Sequence, residues 1–539
     1  MIPSAGSAAK PNKKSKNYPK VSPASAYAWP LMPWPVLWPI TLLLGCALTI
    51  FVALYPGEFY KQQQQQRQEE QQSVAHWEPQ QGTVKLGPDG VRDLELHHGV
   101  DGKDKLAKFC EGRLVYVYNI SDVYNRKFVR ECATFKKGRD LCMYMENGGM
   151  GRGFSLGGRP PGEAGAPWYN TWQFALELYF HERLLRHPCV TDRAELANAF
   201  FVPYYAGMDL SRRFTHRLAK GELYMELARW LQGQESWKRR QGRDHFMMLG
   251  RIASDFYRQG EDPRLWGNEM LLQRAFKKMI KLTIERSSIR PDNDKEIAIP
   301  YPTYYHPSSD SQIQNIVDGI SQGSQRNSLV TMAAGQRRPS VNSMRFKLMN
   351  QCENDPRCTL LLCEGNEASP GLLDGVLNPP SPVKLTGKTL NMSCNNPAIL
   401  LGAMHQSQFC LQPPGDSPTR RSFFDAMLAG CIPVIFSKDA AWTQYVHHLP
   451  NDGASYSVFI PMKVASKSNV INILGRIREP EIRKMQRNIA KLLPSILYGH
   501  VRREYSPKSP AGTMDAFEIA LTAVLEKMKA ENQHNQDIE

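Results

Sequence analysis

Between Val21 and Gly57 the sequence has not one charged residue, and the twenty residues before it hold five lysines and no acid. This absence excludes an ordinary solvated surface for that stretch. Trp34 to Tyr55, about 22 mostly apolar residues, is long enough to cross a bilayer. Residues 1–33 then read as a cytosolic tail and 34–55 as a transmembrane signal anchor, with Trp29, Trp34, Trp38 and Tyr55 as interfacial aromatics. A cleaved signal peptide is the competing reading, weakened because no clear small-residue cleavage site follows. Apolar residues are scarce from Glu58 to Lys105, where Gln62–Gln66 is an unbroken glutamine run, so residues 56–105 lack the material for a core and read as a disordered stem.

The eleven cysteines form no C-x-x-C pair, which argues against a zinc site. One, Cys46, lies in the apolar span, leaving ten beyond it, an even number that permits five disulfides in an oxidising compartment. Cys132–Cys142 and links among Cys352, Cys358, Cys363 and Cys394 are the local pairings. The net charge is +15, but with five of those charges in the N-terminal lysines, 15 − 5 leaves +10 for the rest. No zinc-finger spacing, RNP motif or concentrated basic helix accompanies it, so anionic small molecules are better candidates than nucleic acid.

What is present beyond residue 105 is alternation. Leu114–Asn119 reads as a strand, Thr171–Arg186 as a helix with apolar residues at helical spacing, Ala199–Pro203 as a strand, then His245–Leu249 and Ile297–Pro300 as further strands. This is an α/β pattern. Residues 106–305 form one domain, 306–327 a linker rich in Ser, Gln, Pro and Asp, 328–505 a second domain, and 506–539 a C-terminal helix and tail. Asn119 and Asn391 head formal glycosylation sequons; the first abuts a buried strand, so the second is favoured.

The most legible stretch is Phe409 to Phe436, FCLQPPGDSPTRRSFFDAMLAGCIPVIF. An apolar strand passes through Pro413-Pro414-Gly415-Asp416 into Ser417 as N-cap and Pro418 as first helical residue. Phe423, Phe424, Met427 and Leu428 give the helix an apolar face, and Gly430 ends it before the strand Cys431–Phe436. This βαβ unit offers an anion site, free helix N-terminal amides beside Arg420 and Arg421. Asp425, four residues after Arg421, faces the same way and suits ribose hydroxyls. The plainer alternative is a surface Arg421–Asp425 pair on a structural helix.

Together with VYVYN (Val115–Asn119), WYNTWQFALELYF (Trp168–Phe180), AFFVPYYAGMDL (Ala199–Leu210), RDHFMMLGRIASDF (Arg243–Phe256), WGN (Trp266–Asn268) and IPYPTYYHP (Ile299–Pro307), this stretch resembles the plant exostosin-like glycosyltransferases, in the xyloglucan galactosyltransferase subgroup. The motifs span most of residues 110–500. The resemblance implies a single-pass type II Golgi membrane protein with a GT-B arrangement, two Rossmann-like domains facing a cleft. It implies inverting transfer of galactose from UDP-galactose to xylosyl branches of xyloglucan, with no metal or other cofactor, and complexes with other Golgi glycosyltransferases as partners. Gly415, Ser417, Arg420, Arg421 and Asp425 would hold the nucleotide sugar, with Arg337, Arg338 and Arg345 adding positive charge.

The general base would come from Asp209, Asp244, His245 or Asp255, among which the sequence does not choose. Asp292-Asn293-Asp294 only superficially resembles a metal motif. The sequence departs from the subgroup at Ala333–Arg338 and at His447, which bears on donor and acceptor preference. Other UDP-sugars such as UDP-galacturonate or a pentose donor, a mannan acceptor, and a non-catalytic Golgi scaffold are the alternatives.

Overall fold

The computed structural model describes residues 108–135, 140–156, 167–216, 221–258, 266–287, 294–323, 325–335, 343–363, 389–392, 396–503 and 514–536. All belong to one compact unit, Gln81–Glu539. The expected tail, membrane span and stem lie outside the described residues, as do Arg337 and Arg338. No helix among the described residues is long and apolar enough to cross a membrane.

Two six-stranded, wholly parallel sheets make up the unit. The first contains β1 (Val115–Val117), β2 (Val190–Thr191), β3 (Ala199–Phe201), β4 (His245–Leu249), β5 (Ile280–Thr283) and β6 (Glu296–Ala298), in the order β2-β1-β3-β4-β5-β6. The second contains β7 (Ser328–Gly335), β8 (Cys358–Cys363), β9 (Thr389–Met392), β10 (Ser407–Gln412), β11 (Ile432–Ile435) and β12 (Val458–Phe459), in the order β12-β11-β10-β7-β8-β9. Read from β9, the second sheet has the doubly wound nucleotide-binding order, whose strand order reverses between β7 and β10; ligands in such sheets collect beyond the carboxyl ends of the strands at that reversal. The first sheet reverses between β1 and β3 instead.

The strands are parallel because helices cover both faces, so their sequences are near-continuous apolar runs. β4, His-Phe-Met-Met-Leu, is buried at every position. β5 departs from this rule and was not expected. Lys281 interrupts its run, fully buried, with Nζ donating to the Phe276 and Lys277 carbonyls at 3.4 and 3.5 Å and its pKa lowered by burial to about 8.

The principal helices are α1 (Leu176–Leu184), α2 (Ala206–His216), α3 (Asp310–Gln322), α4 (Met344–Glu353), α5 (Arg421–Leu428), α6 (Glu479–Ile496) and α7 (Ala516–Gln536). The segment read as a structureless linker contains α3. Ser309 caps it by accepting from the Gln312 amide, and Ile313 and Ile320 bury one face. Its apolar spacing is helical but diluted by Ser and Gln, which hid it.

The chain crosses between the halves at Leu497–Arg503. Tyr498 donates through its hydroxyl to the Pro300 carbonyl at 2.7 Å, and His306 Nδ1 donates to the Tyr498 carbonyl at 2.9 Å. α7 then packs against the first half, with the Phe517 and Phe180 rings 4.5 Å apart. Phe517→Ala would cost roughly 3–5 kcal/mol.

Disulfides join Cys110–Cys189, Cys132–Cys142, Cys352–Cys358 and Cys410–Cys431. The second and third agree with the local pairing expected. The fourth ties β10 to the start of β11 within the βαβ unit, where both cysteines read as ordinary apolar strand residues. Of the sequon asparagines, Asn119 is exposed just past β1, whereas Asn391 lies within β9. The abutting strand therefore does not bury the first sequon.

Candidate active site

β10 delivers the chain to the reversal point of the second sheet and α5 leads away from it. The apolar face of α5 is as the spacing predicts, with Phe423, Phe424, Met427 and Leu428 buried, and Gly430 adopts φ +64° just past its end. The start differs. The helix begins at Arg421, with Arg420 extended at φ −146°, ψ 136° and no side-chain cap. The expected Ser417 cap does not form, and Thr419, two residues on, is held by the other half of the molecule. Its amide donates to Glu285 Oε2 at 3.1 Å, its hydroxyl donates to the same oxygen, and Tyr301 OH lies 3.2 Å from that hydroxyl. Tertiary hydrogen bonds thus outweigh a local capping preference worth about 1 kcal/mol.

Gly415 makes room for Arg420: a Cβ there would sit 1.4 Å from Arg420 Nη2. Arg420 Nε donates to the Pro413 carbonyl at 3.1 Å, and the Ser417 carbonyl accepts from the Gly415 amide. Burial and then the neighbouring Arg345 guanidinium push the Arg420 pKa down. Two cations facing each other across a loop form a place for an anion.

Arg421 is largely buried. Its guanidinium lies 3.7 Å above the Tyr304 ring, Nη1 donates to the Thr171 carbonyl, and Nε stands 3.3 Å from Asp425 Oδ2. That pair is an ion pair with poor hydrogen-bond geometry. Arg420 Nη2, Arg421 Nε and Nη2 and Asp425 Oδ1 are buried atoms without a hydrogen-bond partner among the described residues. Burial raises the Asp425 carboxyl to about 6 against the pull of Arg421. This is not the surface salt bridge of the plainer alternative, because Asp425 is 1% exposed. Buried polar atoms left open in this way are costly unless something completes them.

The four base candidates separate by position. Asp209, on the first turn of α2, takes two bonds from Arg213 Nε at 2.8 and 3.0 Å and one from Tyr204 OH at 2.8 Å. Asp244 and His245 sit at the amino end of β4, away from the carboxyl ends where the loops gather. His245 Nδ1 bonds Asp244 Oδ1 at 2.8 Å, its Nε2 bonds Tyr118 OH at 2.8 Å, and Arg239 donates to Asp244 at 3.0 Å. Asp209, Asp244 and His245 are thus each held by short hydrogen bonds within the first half.

Asp255 is different. It follows the carboxyl end of β4, and its Oδ2 lies 3.9 Å from Arg251 Nη1. Burial raises its carboxyl, while Arg251 and a hydrogen bond from Trp266 work against the rise. Arg251 is itself clamped between Phe174 and Trp266, 4.1 and 4.5 Å from the ring centres.

Four residues without an assigned role in the sequence line the same region. Glu285 follows β5, the strand Lys281 disguised, and so had no strand to announce it. Glu177 on α1 accepts from the Gly207, Met208 and Gly250 amides at 2.6, 3.1 and 3.1 Å, fixing the first turn of α2 and the loop after β4; burial raises it to about 7. An acid inside the apolar face of WQFALELYF was its signal. Tyr301 and Tyr304 stood in a quoted motif without an assigned role. Of the Asp292–Asp294 stretch only Asp294 is described, 3.6 Å from Lys527.

The exostosin GT47 domain model matches residues 109–477. The chain belongs to the exostosin GT47 family. It is 34% identical over 434 residues to an Arabidopsis thaliana protein named "probable xyloglucan galactosyltransferase GT15", covering 78% of this chain and 83% of that protein. It is 34% identical over 429 residues to the xyloglucan galactosyltransferase MUR3 of the same plant, covering 78% and 63%, and 34% identical over 427 residues to its xyloglucan-specific galacturonosyltransferase 1, covering 78% and 58%. Among solved structures, an Anabaena HepE complex with UDP-glucose aligns at 11% identity and TM-score 0.32, over 70% of this GT47 chain and 98% of that one.

Proposed function

We propose that this GT47 protein is an inverting, GT-B-type glycosyltransferase that moves galactose from UDP-galactose to xylosyl branches of xyloglucan. The observation that carries the donor reading is the open, buried Arg420–Arg421–Asp425 cluster at an uncapped helix N-terminus. The arginines, the α5 amides and Arg345 suit a diphosphate; Asp425 suits the ribose. The names of the relatives support the acceptor and the sugar.

In this reading the acceptor hydroxyl oxygen attacks sugar C1, its proton passes to Asp255, and the C1–O bond to the diphosphate breaks. The departing charge is received by Arg420, Arg421 and the α5 amides. Phe174 and Trp266, both half-buried, hold Arg251 beside Asp255. The same proposal makes the chain a type II Golgi membrane protein anchored at 34–55, consistent with four disulfides among the described residues.

The test is transfer by the purified region beyond residue 55 with xyloglucan oligosaccharides and a panel of UDP-sugars. Transfer from UDP-galactose is expected. Transfer only from UDP-galacturonate would move the chain toward the galacturonosyltransferase relative, and no transfer from any donor would sink the enzyme reading.

A further inference from the structure

Three consecutive residues of the first half each grip the second. The Ile284 carbonyl accepts from Tyr445 OH at 2.9 Å, Glu285 Oε2 takes the Thr419 amide and hydroxyl, and the Arg286 amide donates to Gln444 Oε1 at 2.8 Å. Glu285 is 2% exposed and sits at the carboxyl end of β5.

We propose that Glu285 is a positioning residue for the nucleotide sugar: from the acceptor-side half it sets the conformation of the donor-binding loop 413–420 in the other half. The proposal rests on the reading of that loop as the diphosphate site. The loop has a competing local preference. Ser417 is a good N-cap and Pro418 a good first helical residue, so left to itself the helix would begin one turn earlier.

That earlier start would turn the Arg421 and Ser422 amides into intrahelical donors and re-aim Arg420. With Thr419 held through both its amide and its hydroxyl by Glu285, the helix starts at Arg421 instead, and its first amides have no intrahelical acceptor, which suits an anion. Glu285 touches neither phosphate nor sugar in this scheme. It makes donor binding depend on the two halves being together, which free rotation of the halves would abolish.

The experiment compares wild type with Glu285→Ala, Glu285→Gln and Thr419→Val, reading UDP affinity by calorimetry, KM for donor and acceptor separately, and thermal unfolding. Glu285→Ala and Thr419→Val are expected to weaken UDP by on the order of tenfold, the loss of one to two hydrogen bonds to a charged group, with acceptor KM unchanged. Glu285→Gln, whose amide oxygen still accepts, is expected to recover most of that affinity. Equal losses in donor and acceptor KM tracking a lowered Tm, or no rescue by glutamine, would overturn the proposal. Wild-type protein that binds no UDP would instead overturn the donor-site reading on which it rests.

Discussion

Asp209 and Asp425 are the same motif with opposite outcomes. Each is a fully buried aspartate four residues from an arginine on the same helix, Arg213 after the one and Arg421 before the other. At Asp209 the carboxylate oxygens accept three short hydrogen bonds; at Asp425 one oxygen accepts none and the partner guanidinium is held away by Thr171 and Tyr304. A closed pair has its hydrogen bonds within the fold, whereas an open pair leaves polar atoms that the proposed donor would complete. Polar burial marks function only when the polar atoms are left incomplete.

The sharpest way to break this contrast is to delete each arginine. Arg421→Ala is expected to reduce UDP affinity on the order of 100-fold or more in the folded protein. Arg213→Ala, leaving buried Asp209 with only Tyr204 OH and the more distant Arg212 at 3.9 Å, is expected to cost about 3 kcal/mol of stability with UDP affinity retained in the folded protein. Chemical unfolding beside calorimetry would show it, and a reversed pattern would refute the distinction.

The base assignment gives a comparable effect on kcat. Asp255→Asn should lower kcat by roughly 10²–10⁴ without weakening UDP, and Asp244→Asn should leave the kcat of folded enzyme near wild type. Single-turnover kinetics would decide it.

A smaller effect follows from pH. Because burial raises Asp425 to about 6, its carboxylate is lost as pH falls below that value, and UDP affinity should fall about tenfold per unit below it, a slope flattened in Asp425→Asn. Stability of the unliganded protein has the opposite sign. Between the ordinary carboxylate range and about 6 the native state holds a proton that the unfolded chain releases, so this group stabilises the fold more as pH falls through that window. UDP calorimetry and urea titrations at pH 5 and 7 on wild type and Asp425→Asn would show the two effects. The mildest change is Gly415→Ala, which should displace Arg420 and raise donor KM several-fold, with acceptor KM unchanged.

Much of this was legible in the residues. Runs of β-formers marked β4, β7, β10 and β11, four apolar residues at helical spacing marked the buried face of α5, and a glycine marked its end. β5 was illegible because a buried lysine breaks its apolar run, and α3 because polar residues dilute its spacing. The Cys410–Cys431 link was hidden inside strands whose proximity only parallel pairing creates.

By itself, then, the sequence determined most of the strands and helices and pointed to the start of α5, with Arg420, Arg421 and Asp425, as the place to propose an anion site, since these follow from local periodicity, turn chemistry and spacing. Only the tertiary structure decided where α5 begins and that Glu285 reaches Thr419 across the two halves. Those outcomes depend on hydrogen bonds between residues more than a hundred positions apart, and a buried polar group takes whichever partner the fold brings within reach.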